Sequence, residues 1–552
     1  MAAKLKIIPL GGLNEIGKNL TVYEYGDDMI VVDCGLGFPD EEMYGVDIVI
    51  PDFSYLVQNK QKIRAVILTH GHEDHIGGLP YLMREINAPL YTTRLTAGLI
   101  ELKLEEVGLL EKVEINTLEA GERFRAGNFG IELIHVNHSI ADSVALAIKT
   151  PIGTLIHTGD FKIDVTPIEG GMIDITRLGE LGKEGVLMLL SDSTNVERPG
   201  FAESEKKVGV RFDALFKDCD KRIIVTTFAS NVHRLQQIIN SAAKNNRKVA
   251  ITGRSMENVM RVAMELGYMD VPKDTLIDIN MINTLPKNRL VIITTGSQGE
   301  SMSALYRMAF SGHRQVEINA GDRVIISASA IPGNEATIGR VINELFMKGA
   351  EVIYDRLEEL HVSGHACREE LKMMIALTKP RYFMPLHGEQ RHLRTHAELA
   401  KNMGIDPQNI VIGDIGRIVE VTKKAVKLGG NVQAGKVLVD GTGVGDVGSI
   451  VLRDRRHLAQ DGMVVVVMTL SAEDASLISG PDIVTRGFVY VKESDVLIDE
   501  LKRVTLETLD SCENQRITDW ATIKAKVKAN LSGYLYKTTK RSPMILPVIM
   551  EV

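Results

Sequence analysis

Apolar and polar positions follow two rhythms along the 552-residue chain. In the first two hundred residues, short apolar runs alternate with turns. Residues 4–10, 20–25, 29–33, 65–69, 113–117, 131–136, 153–157 and 186–190 read as strands, because runs this short and apolar suit strands better than helices. A helical period marks 79–85 and 94–107. The stretch 38–52 is acidic and irregular and reads as a surface loop. From about 206 to 360 the pattern becomes strand, short loop, helix, with strands at 222–228, 248–252, 290–295, 323–329 and 351–355. That repetition predicts a parallel sheet wrapped by helices. A further strand at 380–387 suggests that the chain returns to its first domain. Residues 429–446 are rich in glycine and read as linker or loop. The tail offers strands at 462–470 and 487–491 and helices at 495–513 and 520–531, a small α+β unit. The expected division is a first domain at 1–205, an inserted one at 206–360, a return segment at 361–430, a linker at 431–449 and a C-terminal domain at 450–552.

Composition adds limits. The net charge of -8 speaks against a general polyanion-binding surface, so any nucleic-acid contact must rest on a local groove. Aromatics at 5% argue against a long base-stacking platform. The four cysteines, Cys34, Cys219, Cys367 and Cys512, form no CxxC pair, which excludes a cysteine zinc site and fits a reducing, cytoplasmic setting. No apolar run approaches the length of a membrane span, and a soluble protein is expected.

The chemistry concentrates in HGHEDH, residues 70–75. This hexapeptide follows an apolar strand and precedes paired glycines, so it lies in a loop at a strand's carboxyl end, where open α/β sheets place their sites. His70 and His72 are two apart and face the same side of an extended segment. Asp74 and His75 follow the turn and can face a second ion. Other strands end at Asp33, His138, Asp160, Asp192 and His387. Two divalent ions about 3.5–4 Å apart suit phosphodiester hydrolysis. His70, His72 and His138 can hold one, Asp74, His75 and His387 the other, and Asp160 can bridge them. Asp33 suits either orientation of a ligand histidine or a plain turn. His135 reads as a packing or orienting residue and His157 as structural. A proton for the leaving oxygen must come from outside the metal ligands; His365 is the candidate, oriented by Asp192.

The inserted region adds four strand–loop–helix junctions carrying Ser, Gly or Asn at the helix start, among them Ser230 and Asn334. Helix N-termini favour phosphate oxygens, although each alone is ordinarily just a cap. None matches a Walker or dinucleotide fingerprint. The tail reads as a compact βαβ unit for assembly, with an RNA contact by the basic stretch KTTKR at 537–541 as the alternative.

The HxHxDH loop, with Asp33, His138 and Asp160, resembles the metallo-β-lactamase superfamily. SDSTN at 191–195, HVSGH at 361–365 and PLHGE at 385–389 resemble the additional motifs of its β-CASP nuclease branch. From LGGLNEIGKN through FASNVHRLQQ, TGSQGE and GPDIVTRGFVYV to KRSPMILPVIMEV, nearly the whole chain is similar to the bacterial ribonuclease J family. The resemblance implies an α/β fold: a metallo-β-lactamase αββα sandwich, an inserted β-CASP parallel α/β domain and a small C-terminal α+β domain. It implies the same metal ligands, with Asp74, Asp192 and His365 acting at the scissile phosphate. It also implies a 5′-monophosphate pocket near Ser230, His361, Ser363, Gly364 and His365, extending to Ser329 and Asn334. The expected cofactors are two divalent ions, zinc first and manganese as an alternative. Implied partners are RNA, further copies in a homodimer or homotetramer, and a paralogous subunit or other RNA-decay proteins. The implied activity is endonucleolytic and 5′-to-3′ exonucleolytic cleavage of RNA in mRNA decay and rRNA maturation. A hydrolase of small esters would not need the inserted domain, and a non-catalytic scaffold would not need a complete ligand set.

Overall fold

The structure is a computed structural model that describes residues 4–552 except 41, 169, 218, 298–302, 329–333, 355–359 and 490–494. The chain forms two compact units, one of Met1–Gly37 and Ile50–Lys436, the other of Phe38–Val49 and Val437–Val552.

Two sheets in the first unit face each other. An eight-stranded sheet contains Leu5–Gly11, Leu20–Tyr25, Asp28–Val32 and Ile63–Ile67, and its far edge is supplied late in the chain by Arg417–Val421 and Val426–Asn431. A six-stranded sheet runs in the order Tyr382–Leu386, Val186–Asp192, Gly153–His157, Val144–Thr150, Phe129–His135, Arg123–Ala126. Alternate side chains explain the layering, because a strand sends successive residues to opposite faces. Ile131, Leu133, Leu146, Leu155 and Leu190 point inward against Ile7, Tyr23, Ile30 and Ile67 of the other sheet. Ile134, Ala145, Ile156 and Leu189 point outward, onto a layer that includes Leu178, Leu371 and Met374 from the helices Ile175–Glu184 and Arg368–Thr378. Each fully buried aliphatic chain contributes roughly 1.5–3 kcal/mol. The result is helix, sheet, sheet, helix.

The inserted region is a six-stranded, all-parallel sheet in the order Leu276–Ile277, Lys248–Thr252, Leu290–Thr294, Ile223–Thr226, Arg323–Ile326, Glu351–Tyr354. Helices Val232–Lys244, Arg254–Glu265, Ala304–Ala309 and Glu335–Met347 connect its strands. Asn231 caps the first of these by accepting from the Arg234 amide at 3.0 Å.

In the second unit, Met463–Leu470 is the central strand, antiparallel to Leu477–Arg486 and parallel to Met544–Glu551. The helices Asp495–Asn514 and Trp520–Thr539 pack on it through Leu501, Val527 and Leu531.

Three expectations need correction. The strand expected at 487–491 is Leu477–Arg486 instead; Gly487, at φ +68°, ends it, and residues 490 and 491 lie outside the described residues. The expected linker at 431–449 holds the strands Lys436–Asp440 and Gly443–Val444, paired as a tight hairpin. The stretch 38–52 is not loop throughout: Ile48–Pro51 is a strand, and Val46 and Val49 are buried with Val447.

Candidate metal centre

The strand Ile63–Ile67 ends just before Thr69, and HGHEDH turns into the short helix Glu73–Ile76. The turn fits because Gly35 passes close beneath it: a Cβ there would lie 1.6 Å from the Asp74 carbonyl oxygen. Asp33 and His387 each follow a strand and adopt left-handed backbone, at φ +61° and +52°, which turns their side chains out of the ladder. His138 follows Phe129–His135, Asp160 follows Gly153–His157, and Asp192 ends Val186–Asp192.

These strand ends converge. His70 Nε2 and His138 Nε2 each lie 3.1 Å from His72 Nδ1. Beside them, His75 Nε2 is 3.2 Å from Asp160 Oδ2, and His387 Nε2 is 3.2 Å from Asp74 Oδ2. Asp160 Oδ2 stands between the two groups, 3.7 Å from His70 Nε2, 3.8 Å from His138 Nε2 and 3.9 Å from His387 Nε2. The first set is thus His70, His72 and His138, and the second Asp74, His75, Asp160 and His387; within each set the ligating atoms lie within 4.8 Å of one another.

Both sets fit a divalent cation. Nitrogens about 2.0–2.1 Å from zinc in tetrahedral array stand roughly 3.4 Å apart, close to the spacing of the first set. The far sides of the imidazoles are held. Asp33 accepts from His75 Nδ1 at 2.8 Å, and the Gly364 carbonyl accepts from His138 Nδ1 at 2.8 Å. Each bond puts the ring proton on Nδ1 and leaves the Nε2 lone pair facing the cluster, as ligation requires. Gly364 is needed there, since a Cβ would lie 2.7 Å from the His138 ring.

The electrostatics differ between the sets. Burial, and then the neighbouring imidazoles, push His70 and His138 well below the usual histidine range, and burial takes His72 down to about 4. At neutral pH these three rings therefore offer lone pairs and no charge. Burial opposes charge on His75 and His387 too, but Asp160 and the other carboxylates outweigh it and raise both well above the usual range. The second set attracts positive charge strongly, and a divalent ion would replace those protons.

Asp192 Oδ2 accepts from His365 Nδ1 at 2.8 Å. Burial works against the imidazolium, but Asp192 and Asp160 overcome it and raise His365 above its ordinary value. Asp192 Oδ1 accepts from the Thr194 amide at 2.9 Å and hydroxyl at 2.8 Å. Asn195 Nδ2 donates to Ser363 Oγ at 2.7 Å and to the His365 carbonyl at 3.1 Å, which fixes the HVSGH segment. Ser327, just past an inserted-domain strand, donates to the Leu360 carbonyl at 2.6 Å and anchors the segment's other end. Burial, and after it the charges of Arg234, Arg198 and Lys162, hold His361 well below the usual histidine range. A cavity of about 770 Å³ opens beside His138, lined among others by Arg94, His135, Asp142, Lys162 and Tyr268.

The seven residues expected as ligands therefore meet, as do Asp33, Asp192 and His365 around them. His361, Ser363 and Gly364 adjoin them. Ser230 and Asn334 stand at helix starts in the inserted domain, and among the described residues neither hydrogen-bonds to either cluster. Ser329 lies outside the described residues. His157 is structural, sharing a 2.8 Å hydrogen bond with the Tyr23 hydroxyl. Sequence reasoning missed Thr69, Thr194, Asn195 and Asn19, whose Nδ2 is 3.1 Å from His75 Nε2. The available signal was position for Thr69, which directly precedes HGHEDH, and for Thr194 and Asn195, which lie in SDSTN; Asn19 lies beside neither.

A paired histidine–aspartate centre at the rim of an αββα sandwich, with a parallel α/β insertion, defines a metallo-hydrolase of the metallo-β-lactamase superfamily. Family models agree: residues 13–170 match the metallo-beta-lactamase superfamily, 220–345 the ribonuclease J beta-CASP domain, 350–410 the Zn-dependent metallo-hydrolase RNA specificity domain and 450–552 the ribonuclease J C-terminal domain. The chain is 42% identical over 549 residues to ribonuclease J2 of Bacillus subtilis, covering 99% of each chain. It is 44% identical over 554 residues to ribonuclease J of Thermus thermophilus, covering 99% of this chain and 95% of that one. Ribonuclease J 1 of Streptococcus pyogenes is 42% identical over 544 residues, with 99% and 97% covered. A crystal structure of a protein of unknown function from Enterococcus faecalis shares the fold, with a TM-score of 0.53 at 17% identity, covering 76% of this chain and 100% of that one. The chain belongs to the ribonuclease J family, and it is a metal-dependent ribonuclease. No described helix is long and apolar enough to cross a membrane.

Proposed function

We propose that the enzyme cleaves RNA both internally and exonucleolytically from the 5′ end, with preference for a 5′-monophosphate, and serves mRNA decay and rRNA maturation. The observation that carries this reading is the placement of HVSGH, which meets the histidine–aspartate cluster through the Gly364 carbonyl on His138 and the inserted domain through the bond from Ser327 to the Leu360 carbonyl. His70, His72 and His138 hold one ion, Asp74, His75 and His387 the other, and Asp160 both. Two such cations, zinc or manganese, activate water and neutralise phosphate charge when bound. His365 keeps its Nδ1 proton on Asp192 and presents its Nε2 proton to the leaving oxygen. Ser363, Gly364 and His361 receive the terminal 5′-phosphate, and Ser230, Ser329 and Asn334 complete that pocket. The enzyme works in the cytoplasm as a homodimer or homotetramer, alone or with a paralogous subunit or other RNA-decay proteins.

The test incubates metal-loaded protein with 5′-monophosphate and 5′-triphosphate RNA of one sequence. Mononucleotide release favouring the monophosphate is expected. Equal release from both ends the end-recognition reading. His75→Ala should lower cleavage by orders of magnitude while the fold survives, and unchanged cleavage refutes the ligand assignment.

A further inference from the structure

Every imidazole in the centre has a second nitrogen, and what that nitrogen meets decides which tautomer the ring adopts. Asp33 and Gly364 settle the matter for His75 and His138. Among the described residues, the atom closest to His387 Nδ1 is neither a carboxylate nor a carbonyl oxygen. The atom there is Thr194 Oγ1, at 2.6 Å. Asp192 Oδ1 lies farther from that nitrogen, at 3.5 Å.

A threonine hydroxyl has one proton to give and lone pairs to receive. Asp192 faces an imidazole N–H, an amide N–H and this hydroxyl, so it is an acceptor throughout. The hydroxyl proton therefore goes to Asp192 Oδ1, at 2.8 Å. Thr194 Oγ1 can then only accept from His387 Nδ1–H. That places the ring proton on Nδ1 and turns the Nε2 lone pair toward Asp74 and Asp160. The same construction recurs at the other cluster. Thr69 Oγ1 lies 3.0 Å from Asp33 Oδ2 and 3.0 Å from His70 Nδ1.

We propose that Thr194 is a positioning residue for the second cation site, its hydroxyl transmitting the acceptor character of Asp192 to His387 and so fixing the ligating tautomer. One carboxylate thereby serves two imidazoles: His365 directly and His387 through Thr194. The inference rests on the assignment of His387 to the second site.

The test uses the full chain, stripped of metal and titrated with Zn²⁺ and separately with Mn²⁺, with Co²⁺ absorption as the spectroscopic signature of imidazole ligation. Thr194→Val keeps the shape and removes the hydroxyl. The second ion should then bind about 10–100-fold more weakly, as for other residues that orient metal-bound histidines, while the first ion is unaffected. Thr194→Ser should restore native binding and the native Co²⁺ spectrum. If the valine variant does not fold, Thr194→Ala takes its place. Native second-ion affinity in a variant lacking the hydroxyl overturns the proposal. So does a serine variant as weak as the valine one, since it keeps the hydroxyl. His387→Ala separates the two levels of the argument. If it still binds both ions with native affinity, the ligand assignment itself is wrong. If it loses the second ion while the valine variant keeps it, only the role of Thr194 is wrong.

Discussion

Replacing Asp33 by asparagine changes one atom and nearly nothing of the shape. Asp33 is 1% exposed. Its Oδ1 accepts from the Thr69 amide at 2.8 Å, and its Oδ2 accepts from the Thr69 hydroxyl at 3.0 Å and from His75 Nδ1 at 2.8 Å. The backbone at φ +61° suits asparagine as well as aspartate, so Asp33→Asn adds no strain. The asparagine carbonyl can keep the Thr69 amide. Its NH₂ group then faces one unavoidable donor, the His75 Nδ1–H, while the Thr69 hydroxyl can donate to the carbonyl and accept from the NH₂ group. His75 can relieve the conflict only by moving its proton to Nε2, the atom that faces Asp160 at 3.2 Å and must be bare to bind a cation. The Thr69 hydroxyl keeps an acceptor, because it also lies 3.1 Å from Oδ1, so His70 is left as it was. A hydrogen bond to a charged group is worth about 1.5–3 kcal/mol, and a tenfold change in binding is about 1.4 kcal/mol. Asp33→Asn should therefore weaken the second ion by roughly 10–100-fold and leave the first little changed. Calorimetric titration of metal-stripped protein with Zn²⁺ measures this, and circular dichroism checks the fold. A second ion bound at native affinity would refute the tautomer argument for His75.

Further outcomes follow from other parts of the structure. Ser363→Ala should reduce mononucleotide release by about tenfold or more while internal cleavage falls less, because one polar contact to a charged phosphate is lost; equal loss of both activities on gels with end-labelled and circular RNA argues against the pocket. Arg234, fully buried, donates to both Glu205 oxygens at 2.7 and 2.8 Å and to the Ser327 carbonyl at 2.8 Å. Arg234→Met should cost about 3–5 kcal/mol in urea unfolding, and adding Glu205→Leu should recover much of it; a cost under about 1 kcal/mol contradicts the buried pair. Burial pushes His396 down to about 3, below the value of about 6.5 for an unfolded chain. The unfolded state therefore takes up the proton first: the stability is complete above about pH 6.5 and is lost as pH falls toward 3. At pH 5 the His396 share of the loss should be about 2 kcal/mol, and the difference in stability between pH 7.5 and pH 5 should shrink by that amount in His396→Gln when metal-stripped proteins are compared.

The ligands were legible because metal chemistry crowds unusual residues into short windows, as in HGHEDH, and because strand ends at Asp33, His138, Asp160, Asp192 and His387 point to one rim. Hydroxyls leave no such mark. Thr69 and Thr194 matter through one shared proton each, and threonine beside a motif is otherwise ordinary. The final strand, Met544–Glu551, was hidden by Pro547, which argues against a central strand but is tolerated here because the strand lies at the sheet's edge. Glycines at 441 and 443 made a hairpin look like a linker, the tight turn and the flexible tether drawing on the same residue type. Ser230 and Asn334 show the opposite limit: helix-start composition marked them, and composition carries no distance to the centre.

The strand Tyr382–Leu386 has consequences for the order of events in synthesis. It is an edge strand, paired to Val186–Asp192, and it delivers His387 across the whole inserted domain. A chain that has left the ribosome only as far as residue 380 already carries His70, His72 and His138, but not the closing ligand of the second set. Long-range pairing of this kind is also slow to form. A ribonuclease made on a ribosome, beside its own messenger RNA, thus receives the last residue of its candidate metal centre only after the inserted domain has been made.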